Sequence, residues 1–121
     1  MTETALTRKS CTPCRGGIPP LSPAAVGNLL PQAPGWEETD DCTKIEGHFS
    51  FKNFRMALDF VSQVGELAET EFHHPLLVKF GWGFATIVLQ TKKIKGLHEN
   101  DFIMAAKIND IYQAVLGEAE N

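Results

Sequence analysis

The sequence predicts an α+β fold: a two-layer sandwich in which a four-stranded antiparallel sheet carries helices packed on one face. Three observations predict it. Two long stretches, 53–71 and 99–116, repeat apolar residues at three- and four-residue steps. The β-prone segments come in pairs, 36–39 with 45–51 and a second pair within 76–91. A helical stretch separates the pairs and another follows the second, so the order is helix, two strands, long helix, two strands, helix.

Each element has its own local reason. Pro13, Gly16, Gly17, Pro19 and Pro20 argue against regular structure, so residues 1–20 read as a flexible N-terminal arm and 21–121 as the folded domain. Ser22 suits an N-cap and Pro23 the first helical position, opening a short helix through Leu30. Pro31, Pro34 and Gly35 stop it. Two strands follow, with Asp40 and Asp41 at the corner between them. In the second, Ile45, Gly47, Phe49 and Phe51 alternate with Glu46, His48 and Ser50, the period of a half-buried strand. The long helix shows its stripe in Phe54, Ala57, Leu58, Val61, Val64, Leu67 and Ala68, and the His73-His74-Pro75 run ends it. Residues 76–91 are two strands or one strongly bent one, with Gly81 and Gly83 flanking Trp82. A lysine-rich loop, 92–98, leads to the last helix. Glu99 and Asp101 in its first turn favour the helix dipole, and Phe102, Ala105, Ile108, Tyr112 and Val115 lie along its apolar face.

The chain has 121 residues, 43% of them hydrophobic and 21% charged, with a formal net charge of -4. That is a single domain's length and an ordinary composition. A direct nucleic-acid binder would usually carry a basic stripe, and the net charge of -4 argues against one. The longest apolar run, Phe84 to Leu89 interrupted by Thr86, is far short of the ~20 residues that span a bilayer. The first residues lack the apolar core of a secretory signal, so a cytoplasmic address is expected. Three cysteines, Cys11, Cys14 and Cys42, do not suggest a disulfide framework. Cys11 and Cys14 form a lone CxxC without the second pair that a zinc site needs. It lies in a Pro/Gly-rich tail, and we read it as two exposed thiols.

The chemistry-bearing stretch is Glu69-x-x-x-His73-His74-Pro75. Imidazole gives and takes protons near neutrality. A pair of them beside a carboxylate suits an elimination of water, in which one group protonates a departing hydroxyl and another removes a proton from the neighbouring nitrogen. A metal site fits poorly. Adjacent residues on a strand face opposite sides, and His48 and His98 are distant and isolated.

The run from Phe51 to Ile108 resembles the pterin-4a-carbinolamine dehydratase family. The family pattern is an acidic residue, three spacers, His-His-Pro, five or six spacers, an aromatic, nine spacers, a histidine, and an aspartate about eight residues later. Glu69, His73, His74, Pro75, Trp82 and Asp101 stand in register with it. The arm from Leu6 to Gly17 also resembles the N-terminus of bacterial members. One position departs: the third histidine's slot holds Lys92, followed by Lys93. A lysine ammonium holds its proton at neutral pH, so it donates rather than acts as a general base.

The resemblance implies a hydro-lyase that dehydrates 4a-hydroxytetrahydrobiopterin to quinonoid dihydropterin, in the recycling that serves aromatic amino-acid hydroxylases. It implies that His73, His74 and Lys92 act at the reacting atoms, and that Glu69, Pro75, Trp82 and Asp101 bind or orient the substrate. His73 would be the general base or acid, His74 a donor to the ring and Lys92 a donor to the leaving hydroxyl. No cofactor or metal is required. The implied partners are a small pterin and further copies of the chain, as a homodimer or homotetramer, with no direct nucleic-acid or membrane contact. Two rival readings are a non-catalytic relative serving as a protein-binding or assembly module, which Lys92 favours, and a zinc or redox regulator using Cys11 and Cys14.

Overall fold

The computed structural model describes residues 5–13 and 16–120. Helix α1 (Pro23–Leu29) opens as its sequence requires, with the Ser22 hydroxyl accepting from the Ala25 N–H at 3.2 Å. A 3-10 turn, Leu30–Gln32, carries the chain from it towards the sheet. Strands β1 (Trp36–Thr39), β2 (Lys44–Ser50), β3 (Leu77–Gly81) and β4 (Phe84–Leu89) form one sheet in the order β1-β2-β4-β3. Every pairing is antiparallel. The open alternative for residues 76–91 resolves into two strands, turned at Trp82 and Gly83. Gly83 adopts φ 82°, a left-handed conformation that favours glycine.

The helices α2 (Phe54–Glu71) and α3 (Glu99–Glu120) cover the same face of this sheet. Phe49 of β2 shows it directly: its ring lies 4.7 Å from Phe60 of α2 and 5.0 Å from Tyr112 of α3. The alternation along β2 sends Ile45, Gly47 and Phe49 towards the helices and leaves His48 and Ser50 exposed. Gly47 is required by a close approach. A Cβ there would sit 2.8 Å from the Trp36 ring. Phe60, Ile45, Ile87, Leu89, Phe102 and Ile108 are fully buried between the two layers. Among the described residues, no helix is long and apolar enough to cross a membrane.

The arm differs from the exposed tail its composition suggests. Ala5–Arg8 form a 3-10 turn, and Leu6 is 1% exposed within the core. The backbone N–H of Cys11 donates to Glu71 at 2.7 Å. Thr12 and Asn100 exchange two hydrogen bonds, of 3.0 and 2.7 Å. The physical reason is burial: Leu6 and the amide of Asn100 offer the arm enough contact to hold it against the domain, despite its prolines. Cys14 lies outside the described residues.

Candidate active site

The site forms where α2 ends and α3 begins. Asn53 caps the start of α2, accepting from the Met56 N–H at 2.9 Å. At its other end the N–H groups of Phe72 and His73 both turn back onto the Ala68 carbonyl. Phe72 takes a left-handed conformation, φ 54° and ψ 36°, and this reversal aims His73 inward. Helix α3 starts with a reciprocal cap. His98 accepts from the Asn100 N–H through Nδ1 at 3.0 Å, while Asp101 Oδ2 accepts from the His98 N–H at 3.0 Å. Only an unprotonated Nδ1 can accept in this way.

That cap fixes the carboxylate of Asp101. Oδ2 also accepts from the Thr91 hydroxyl at 2.8 Å, and Oδ1 lies 2.8 Å from Nε2 of His73. The pair is sequestered, with 9% of the His73 side chain and none of Asp101 exposed. An ionised carboxylate only accepts, so Nε2 carries a proton, and in the neutral imidazole Nδ1 of His73 then keeps its lone pair. That is the orientation of a base whose tautomer is set from behind. His74 is arranged differently: its Nε2 meets Glu69 at the surface, with 58% and 72% of the two side chains exposed.

A cleft of about 460 Å³ opens on these groups, lined by Phe72, His73, His74, Pro75, Gln90, Thr91, Lys92 and Lys93. The lysines reach it from a tight loop, closed by Thr91 and Gly96 and turned by a 3-10 segment, Lys92–Ile94. A larger cleft, of about 650 Å³, borders Pro34, His48 and Tyr112. It holds no comparable buried base. Its Asn109 and Tyr112 are engaged with Trp36 and the Ser50 carbonyl.

Of the residues singled out in the sequence, His73, His74, Pro75 and Lys92 meet on one cleft, Asp101 stands behind His73, and Glu69 binds His74. Trp82 does not join them. It sits 71% exposed at the turn between β3 and β4, and at about 3.3 Å per residue the strand carries it roughly 20 Å from Pro75. Sequence reasoning missed Thr91, His98 and Phe72. The His98-x-x-Asp101 spacing carried a capping signal, whereas nothing local announces Thr91.

Cys11 is not a reactive thiol. Burial and the neighbouring Glu71 carboxylate push it up to about 12, so it stays protonated at neutral pH. Burial pushes Glu71 upward too, but the Lys107 ammonium at 2.8 Å and the Cys11 N–H outweigh it, and its carboxyl lies below the usual value. Among the described residues, no group of three or more His, Cys, Asp or Glu side chains could hold a metal ion.

Fold and site together define a small α+β protein with a buried histidine–aspartate pair facing an open cleft. Residues 19–111 match the family model described as pterin 4 alpha carbinolamine dehydratase. A relative from Cupriavidus pinatubonensis, provisionally named a pterin-4-alpha-carbinolamine dehydratase, is 56% identical over 106 residues, covering 88% of this chain and 90% of its own. Another, from Methylococcus capsulatus and named in the same way, is 52% identical over 111 residues, with 92% and 96% covered. The crystal structure of a transcriptional coactivator/pterin dehydratase from Brucella melitensis superposes with a TM-score of 0.73 at 30% identity, over 77% of this chain and 98% of that one. A pterin dehydratase-like RuBisCO assembly factor of the alpha-carboxysome shares the fold, with a TM-score of 0.58 at 20% identity over 67% and 93% of the two chains. The chain belongs to the pterin 4 alpha carbinolamine dehydratase family.

Proposed function

We propose that this chain is a hydro-lyase that eliminates water from a pterin 4a-carbinolamine to give the quinonoid dihydropterin. The observation that carries the reading is the 2.8 Å contact from Asp101 to His73 behind a cleft that Lys92 also lines. Nδ1 of His73 takes the proton from the ring nitrogen next to C4a. The electron pair of that N–H bond forms the new C=N bond as the C–O bond breaks. The Lys92 ammonium donates its proton to the departing hydroxyl, which leaves as water. Solvent then moves the proton from His73 back to Lys92. His74 and Glu69, at the rim, orient the polar edge of the ring. The reaction draws on no oxidant or cofactor.

The test is a carbinolamine dehydration assay on wild type, His73→Ala and Lys92→Met. Losing a positioned acid or base costs ~10²-fold or more, so His73→Ala is expected to fall by that factor and Lys92→Met by less. A wild type no faster than the uncatalysed reaction sinks the reading. The second reading, a binding or assembly module, would then stand, favoured by the lysine at position 92 where the family pattern has a histidine.

The same reading includes self-association to a dimer or tetramer. Strand β3 lies at the sheet edge, where Leu77 and Val78 are 48% and 38% exposed, and an unpaired edge is a template for a second chain. Light scattering at micromolar concentration should report at least a dimer. A monomer alone refutes this part.

A further inference from the structure

Phe72 is hard to explain by stability. Its backbone sits in the left-handed region at φ 54°, where a bulky L side chain is disfavoured. Glycine or asparagine would end α2 there without that penalty. Its ring is 88% exposed, so it gains almost nothing from burial. Among the described residues, the other non-glycine positions with positive φ are Asp40, Asp41, Cys42 and Lys95, which leaves Phe72 the one aromatic among them. Strain of this kind, at the edge of a site, is where function is to be sought.

Its position supplies the function. Phe72 lines the same cleft as His73, Thr91 and Lys92, and the reversal that strains it is the one that aims His73 inward. The cleft needs an apolar surface for the flat face of its ligand, because its other lining groups are largely polar or charged. Trp82, which the sequence offers for that purpose, stands at the far end of β3. We infer that Phe72 is the substrate-binding platform on which the planar ring of a pterin stacks. This rests on the reading of the cleft as a pterin site.

The inference couples two effects of opposite sign, which a merely structural residue would not show. Phe72→Gly relieves the left-handed strain and removes no buried surface, so it is expected to raise Tm by roughly 2–5 °C. The same substitution removes the platform and should weaken binding by about tenfold, the scale of a lost aromatic stack. Phe72→Tyr keeps a ring and should hold affinity within about twofold of wild type.

The experiment is calorimetric titration of the full-length chain with 7,8-dihydropterin, which cannot undergo the elimination, beside thermal melts and light scattering of each variant. Weaker binding and a higher Tm for Phe72→Gly, with Phe72→Tyr retained, support the inference. Equal affinity in wild type and Phe72→Gly overturns it. So does a Phe72→Gly variant that changes only its oligomeric state, which would place the ring in a subunit contact. A lower Tm for Phe72→Gly overturns the strain argument. If wild type itself binds no dihydropterin, the pterin reading fails first, and that result is distinguishable from the others.

Discussion

His73 and His74 are neighbours in the chain, and each meets a carboxylate through Nε2, yet their surroundings are opposite. The His73–Asp101 contact is almost wholly enclosed, whereas the His74–Glu69 contact is more than half exposed on both sides. Water screens the outer pair and competes for its hydrogen bond, so it contributes little. The inner pair has no such competitor. Removing one partner there strands the other without water to satisfy it. A one-residue step along the backbone therefore separates a group with a fixed tautomer and direction from one free to follow a ligand. This difference suits the two roles proposed for them, base and ring-holder.

The sharpest way to break the comparison is at Asp101. Asp101→Ala leaves the His73 N–H, the Thr91 hydroxyl and the His98 N–H without their acceptor. We expect it to destabilise the fold by about 3–5 kcal/mol, measured by denaturant titration. Asp101→Asn, which keeps the size, should still lower dehydration ~10²-fold or more by upsetting the His73 tautomer. A fully active Asp101→Asn would show that the buried pair is structural alone. The outer pair should respond far less. A double-mutant cycle on His74→Ala and Glu69→Ala is expected to give a coupling below about 1 kcal/mol in stability. A value near that of the inner pair would erase the distinction.

How much of this could be read in the chain depends on the range over which each feature is decided. The strands and helices rest on local periodicity, and the alternation of Ile45, Gly47 and Phe49 or the stripe of Ala57, Val64 and Ala68 suffices to place them. The cap at Ser22 is equally local. The His73–Asp101 pair was legible only as spacing, and its third support, Thr91, arrives from the end of β4 by a contact that no short window contains. Trp82 shows the converse. A fixed number of spacers says nothing about whether they form a loop that returns or a strand that departs, and here β3 carries the aromatic away. Phe72 was invisible for another reason. Its side chain has no ordinary preference for the left-handed conformation that it adopts, so its turn is set by the packing of α2 and the run that follows.

The docked arm has a consequence for the order in which the molecule can be finished. Thr12 meets Asn100 across a separation of 88 residues, and Cys11 meets Glu71 across 60. These contacts fall one residue before Asp101 and one before Phe72, beside the two places where the chain turns into the site. The arm therefore waits, unfastened, until a segment 88 residues further along has left the ribosome. Closing so long a loop is also the entropically slower kind of event. The arm is thus made well before the segments on which it locks.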